Sequence, residues 1–157
     1  MPLKALDWNS SEARYNADVL AADLRAYITG EVRFDSGTRA LYAVDGSNYR
    51  QVPIGVVIPK TIEEVIQTVA IAKKHNAPLL PRGGGTSLCG QSCNVAVIVD
   101  FSKYLNQIIE INPQERYAWV QPGCVLDKLR NRVNEFPCDI WNAAAVSIIR
   151  WPFRCLR

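Results

Sequence analysis

Histidine is all but missing from this chain: His75 is the only one among 157 residues, and a single imidazole cannot build a histidine-ligated metal centre. No apolar stretch comes near the ~20 residues that a membrane-spanning helix needs. Met1–Asn16 is polar and lacks the apolar segment of a secretory signal, so a cytoplasmic location is expected. Cysteine is present but unorganised. Five is an odd count, and the spacings fit neither a disulfide framework nor a zinc site. Iron–sulfur ligation asks for tighter clusters, which leaves ordinary reduced thiols. Excess charge is missing too. The formal net charge is +3, but residues 136–157 hold Arg150, Arg154 and Arg157 against Asp139 alone, and the other 135 residues carry 15 basic and 14 acidic side chains. No basic face stands out for nucleic acid.

What the chain does have is an ordinary apolar content of 48% and one concentration of glycine. Four of its nine glycines fall between Gly83 and Gly90, in the run Pro81-Arg82-Gly83-Gly84-Gly85-Thr86-Ser87-Leu88-Cys89-Gly90-Gln91. Three successive glycines hold neither helix nor strand, because each loses the most backbone entropy on ordering. With no Cβ in the way, successive N–H groups can converge on an anion. Arg82 adds positive charge at the entrance, either beside phosphate or in a structural ion pair. Thr86 and Ser87 add hydroxyl donors. The run reads as the diphosphate cradle of a nucleotide cofactor, against the plainer alternative of a tight strand connection with no ligand. A P-loop fails, because the only lysine soon after Gly85 is Lys103. The G-x-G-x-x-G fingerprint fails on its last spacing. It also opens directly into a helix, whereas this loop leads to Val95–Asp100, an apolar β-branched run that reads as a buried strand.

The periodicities around the loop predict an α+β domain with a mixed sheet and flanking helices. Asn16–Thr29 reads as a helix, with Gly30 as its left-handed stop. Residues 31–50 look loop-rich, and Gly55–Ile58 is a short buried strand. Thr61-Ile62-Glu63-Glu64 has the form of a reciprocal capping box, opening a helix to Asn76 whose stripe is Ile62, Val65, Ile66, Val69 and Ala72. His75 is expected to be a solvated helix-end residue, where a cation suits the dipole. Ala77–Leu80 is a strand delivering the chain into the glycine loop. Gln107–Ile111 and Tyr117–Gln121 flank a turn and read as antiparallel partners. Pro122-Gly123 then leads into the helix Val125–Val133, with Val125, Leu126, Leu129 and Val133 facing inward.

Several of these segments together carry a likeness: the lead-in Tyr42-Ala43-Val44-Asp45-Gly46-Ser47-Asn48-Tyr49-Arg50, Pro53–Pro59, the Thr61–Asn76 helix, the glycine run, Val97-Ile98-Val99-Asp100, Val120-Gln121-Pro122-Gly123-Cys124 and the helix after it. Over roughly residues 40–133 the chain resembles the FAD-binding domain of the p-cresol methylhydroxylase and vanillyl-alcohol oxidase superfamily. Within it, the likeness is strongest to glycolate oxidase flavoprotein subunits and D-lactate dehydrogenases. The resemblance implies FAD as cofactor, bound by Arg82, Gly83, Gly84, Gly85, Thr86, Ser87, Gly90, Gln91, Pro122 and Gly123. The Pro122-Gly123 pair is first of all a turn former, with a place near adenosine or flavin as the second role. Relatives that bond FAD covalently often have a histidine directly after the paired glycines. Thr86 stands there, which implies a non-covalent flavin. The implied activity is oxidation of a small 2-hydroxy acid such as glycolate or D-lactate, by hydride transfer to FAD. Substrate-side residues of such enzymes lie in a later cap domain, so no catalytic residue is assigned. A reductase of UDP-N-acetylmuramate synthesis shares the loop type, but the lead-in and the Ser-Leu-x-Gly-Gln ending favour the hydroxy-acid branch.

Three segments are expected: a lead-in at 1–39, the N-terminal part of the FAD domain at 40–135, and a divergent tail at 136–157. The tail is either a helix completing the core or, as favoured, the product of truncation or a shifted frame, since it lacks the second glycine-rich segment of such relatives. On that expectation the isolated chain binds FAD weakly or not at all. Four or five donors on a diphosphate supply about 10 kcal/mol, against association costs of about 4–15 kcal/mol. The rival functions are a non-catalytic nucleotide-binding module completed by a partner subunit, and a remnant without function.

Overall fold

The computed structural model describes residues 15–136. The expected divergent tail lies outside the described residues apart from Phe136, as do residues 1–14. In chain order the elements are α1 (Ala17–Tyr27), β1 (Glu31–Arg33), α2 (Ser36–Leu41), β2 (Gly55–Ile58), α3 (Ile62–Lys74), β3 (Leu79–Arg82), β4 (Val97–Asp100), β5 (Ile108–Asn112), β6 (Tyr117–Val120) and α4 (Leu126–Val133). Among the described residues, no helix is long and apolar enough to cross a membrane.

The valine- and isoleucine-rich strands β2 and β4 organise the fold. Both are buried at every position, as strands covered on two faces must be. They pair in parallel, and β3 pairs in parallel on the far side of β4, ending with Arg82 opposite Asp100. β1 runs antiparallel to β2, so the order is β1-β2-β4-β3: the mixed sheet that the sequence predicts. One face is covered by α1 and α3, where Leu20, Leu24, Ile28 and Ala72 pack on Val57 and Val97. On the other, Val56, Ile58 and Ile98 meet Tyr42, Leu80 and Tyr104. Each fully buried valine, leucine or isoleucine contributes about 1.5–3 kcal/mol. β5 and β6 form the expected antiparallel hairpin, separate from the sheet.

Several local expectations are corrected, half of them through one carboxylate. α1 starts as expected, with Asn16 Oδ1 accepting from the N–H groups of Asp18 and Val19. It does not end on a left-handed glycine. Ile28 turns extended, and the N–H groups of Thr29 and Gly30 go to Glu64 Oε1 at 2.8 and 3.2 Å. Glycine is needed at 30 for room, because a Cβ there would stand against the Ile58 carbonyl oxygen. Glu64 also accepts from the Thr29 hydroxyl at 2.6 Å and the Lys60 N–H at 2.7 Å. Only half of the capping box therefore forms: Thr61 Oγ1 accepts from the Glu64 N–H, but the carboxylate turns to α1 instead of back to Thr61. This sets the rotation of α3. Its buried residues are Glu64, Val65, Thr68 and Ala72, with Thr68 satisfied by the Glu64 carbonyl at 2.7 Å. Ile62, Ile66 and Val69 of the predicted stripe are exposed.

Residues 31–50 are more regular than expected, containing β1 and the six-residue α2 capped by Asp35. His75 is not solvated. Its side chain is 13% exposed, with Nε2 2.7 Å from Asp23, which ties the end of α3 to α1. Of the four residues expected to face inward near α4, only Val133 is buried. Val125 is the extended residue before the helix, and Val125 and Leu126 are both exposed.

Candidate cofactor site

β3 and β4 end side by side at Arg82 and Asp100, and the glycine loop leaves from the end of β3. In parallel sheets, ligands sit at the carboxyl ends of the strands. None of the N–H groups of Gly83, Gly84, Gly85, Thr86 and Ser87 donates to an acceptor among the described residues. Five consecutive donors at a strand end are thus without a partner among the described residues, and successive free backbone N–H groups of this kind can receive an anion. Gly85 has φ +67, a conformation suited to glycine. Gly83 and Gly84 do not, and a Cβ built on them would meet nothing nearer than the Pro122 carbonyl oxygen at 3.8 Å and a Thr86 methyl at 3.7 Å. The chain's own packing does not require glycine at 83 or 84.

The other expected site residues divide by what they touch. Pro122 lies beside Gly83. Gly123 is buried, donates to the Leu105 carbonyl at 2.9 Å, and leaves no room for a Cβ against Phe101. Ser87 Oγ donates to Gln91 Oε1 and accepts from the N–H groups of Cys89 and Gln91 at 3.3 and 3.2 Å, so it closes the loop on itself. Gly90, at φ +76, packs on the Tyr49 ring. Thr86 is exposed. Arg82 forms no ion pair among the described residues and grips backbone carbonyls instead. Its Nη1 donates to the carbonyls of Tyr42 and Ser92 at 3.2 and 2.9 Å, and Nη2 to that of Val44 at 2.9 Å. The guanidinium lies 5.1 Å from the Tyr42 ring centre, directly behind Gly85.

Residue typing did not single out the groups that hold this loop. Tyr42 Oη donates to the buried Asp100 at 2.6 Å, and burial followed by that carboxylate pushes the phenol well above its usual range. Asp45 accepts from the Ser47 N–H and hydroxyl through Oδ1, and from the Ser92 N–H and hydroxyl through Oδ2. These donors, Ser47 first, hold the Asp45 carboxyl down at about 2. The Gly46 N–H donates to the Gly85 carbonyl at 2.9 Å. The available signal was Asp100 itself, a lone carboxylate closing an apolar strand. Among the described residues the cysteines Cys89, Cys93 and Cys124 are unpaired, and no three His, Cys, Asp or Glu side chains cluster to hold a metal. A recess of about 780 Å³ between the hairpin and α4, lined by Ile109, Ile111, Lys128, Arg132 and Phe136, includes no glycine-loop residue.

The sequence pattern of the FAD binding domain matches residues 53–140, more than half of the chain and all of the glycine loop. The chain belongs to that family. FAD is therefore its cofactor, and the free amides with the two unhindered glycines fit a diphosphate. Over 106 residues the domain is 35% identical to D-2-hydroxyglutarate dehydrogenase of Haemophilus influenzae, covering 66% of this chain and 10% of that protein. It is 35% identical over 108 residues to the glycolate oxidase subunit GlcD of Bacillus subtilis, covering 66% of this chain and 23% of that protein. The p-cresol methylhydroxylase structure superposes with a TM-score of 0.59 at 24% identity, over 75% of this chain and 24% of that one. The FAD domain thus has the expected α+β fold of that superfamily, and it spans about a tenth to a quarter of the length of these relatives.

Proposed function

We propose that this chain supplies the diphosphate-binding part of a flavoprotein that oxidises small 2-hydroxy acids. The observation that carries the reading is the unbroken row of unpaired amides from Gly83 to Ser87 at the end of β3. These donors, with the Thr86 hydroxyl, would hold the two phosphates. Gly90 and Gln91 would lie further along the same groove, and the Pro122-Gly123 turn would border it beside Gly83. Arg82 lies behind the loop at Gly85. Bound FAD supplies the redox chemistry by accepting a hydride from the substrate's α-carbon. The chain's own part is to bind and orient the diphosphate. Two observations support a non-covalent flavin. Thr86 has no nucleophilic ring nitrogen, and the lone His75 lies ahead of β3, near the end of the sheet opposite the loop, held by Asp23. The hydroxy-acid class is supported by the relatives named above, one a D-2-hydroxyglutarate dehydrogenase and one a glycolate oxidase subunit.

Titration of the 157-residue chain with FAD, followed by flavin fluorescence, tests the reading. The expected dissociation constant is weak, about 0.1–1 mM, with the flavin fully released on denaturation. No binding at millimolar FAD, or a flavin that stays attached to the denatured chain, would contradict it. Dye-linked oxidation assays of the holoprotein test the substrate class, with turnover of 2-hydroxy acids and not of simple alcohols expected.

A further inference from the structure

We infer that Arg82 is a positioning residue, which sets the glycine loop in its anion-accepting form by gripping three carbonyls and does not itself bind the phosphates. The inference rests on the reading of the loop as a diphosphate cradle. Register places Arg82 opposite Asp100 at the ends of β3 and β4, yet the two side chains do not pair. Tyr42 stands between them, its hydroxyl on Asp100 and its ring against the guanidinium. The end of the sheet thereby fixes the guanidinium plane. That plane in turn collects carbonyls from both flanks of the loop: Tyr42 and Val44 from the lead-in, and Ser92 from the exit. Asp45 ties the lead-in to the exit a second time, its Oδ2 accepting from the Ser92 N–H and hydroxyl. Between these braces the chain must cross the guanidinium at Gly85, where no Cβ fits and φ is +67. The Gly85 carbonyl is taken by the Gly46 N–H, which turns the carbonyl toward the protein and leaves the neighbouring amides free. A planar fork can hold three fixed acceptors at once; an ammonium of equal charge cannot reproduce that geometry.

The experiment compares Arg82→Lys and Arg82→Met with the wild-type chain, reading amide hydrogen exchange without ligand and inorganic pyrophosphate affinity by amide NMR. The expected result is at least tenfold faster exchange at Gly46 in both variants, with Val57 and Val99 in the core unchanged. Pyrophosphate affinity should fall at least tenfold in both, although lysine keeps the charge. If Arg82→Lys keeps affinity within twofold of wild type, or leaves Gly46 exchange unchanged, Arg82 acts by charge and the inference is overturned. If both variants also loosen Val57 and Val99, the ratio of rates decides: Gly46 exchange must still rise at least tenfold more than exchange at Val57, and a Gly46 rate that rises only in step with Val57 overturns the inference. The exchange arm needs no ligand, so a wild-type chain that ignores pyrophosphate contradicts the cofactor reading without deciding the role of Arg82.

Discussion

Gly84 concentrates the functional argument at the scale of the single residue. Its Cβ position opens on space, with a Thr86 methyl at 3.7 Å as the nearest contact. Gly84→Val should therefore fold with a melting temperature within a few degrees of wild type while losing at least tenfold in FAD and pyrophosphate affinity, as paired thermal and binding measurements would show. Normal binding by that variant would place the ligand elsewhere. Asp45 makes a pH prediction. A carboxyl held at about 2 by Ser47 and Ser92, against an ordinary value near 3.9, favours the folded loop fully above the ordinary value. That contribution is lost as pH falls through the folded value. Chemical shifts of Gly46 and Ser92 should thus move together with a midpoint near pH 2, and Asp45→Asn should abolish the step. Glu31 titrates in the same window, held down to about 2 by Lys103 first and then Tyr104 and Arg33. It lies on β1 at the far edge of the sheet, so the loop resonances separate the two.

At the scale of the element, Glu64 links α1, the turn into β1 and α3. Burial alone would raise its pKa, but the hydroxyl and N–H groups of Thr29, with those of Lys60 and Gly30, more than reverse that and lower it. Glu64→Ala leaves these donors unsatisfied and should cost about 1.5–3 kcal/mol, a fall in melting temperature of roughly 5–10 °C. A neutral result would contradict the account of how α3 is oriented. The same residue marks the limit of what the sequence could reveal. β2 and β4 are plain in their valine and isoleucine runs, and α1 in its Asn16 cap and leucine spacing. The face of α3 is not, because Glu64 and Thr68 take inward positions by virtue of hydrogen bonds, and the partner Thr29 is 35 residues away. Period alone therefore favours Ile62, Ile66 and Val69, which remain exposed. β1 has three residues and α2 six, too short for any periodicity to register. The glycine loop was legible because an absence of side chains is visible in a sequence. The role of Arg82 was not, since its acceptors are backbone carbonyls that no residue type announces.

For the whole molecule, a small mixed sheet ends in the glycine loop, and the lead-in Tyr42–Arg50 contacts that loop through Arg82, Ser92 and the Gly85 carbonyl. The chain spans a tenth to a quarter of the length of its relatives. The central claim concerns the amides themselves, so the direct measurement is an amide NMR titration of the 157-residue chain with inorganic pyrophosphate. The account predicts saturable movement of the Gly83, Gly84, Gly85, Thr86 and Ser87 resonances ahead of all others. Stationary resonances at those five positions, with or without movement elsewhere, would contradict it.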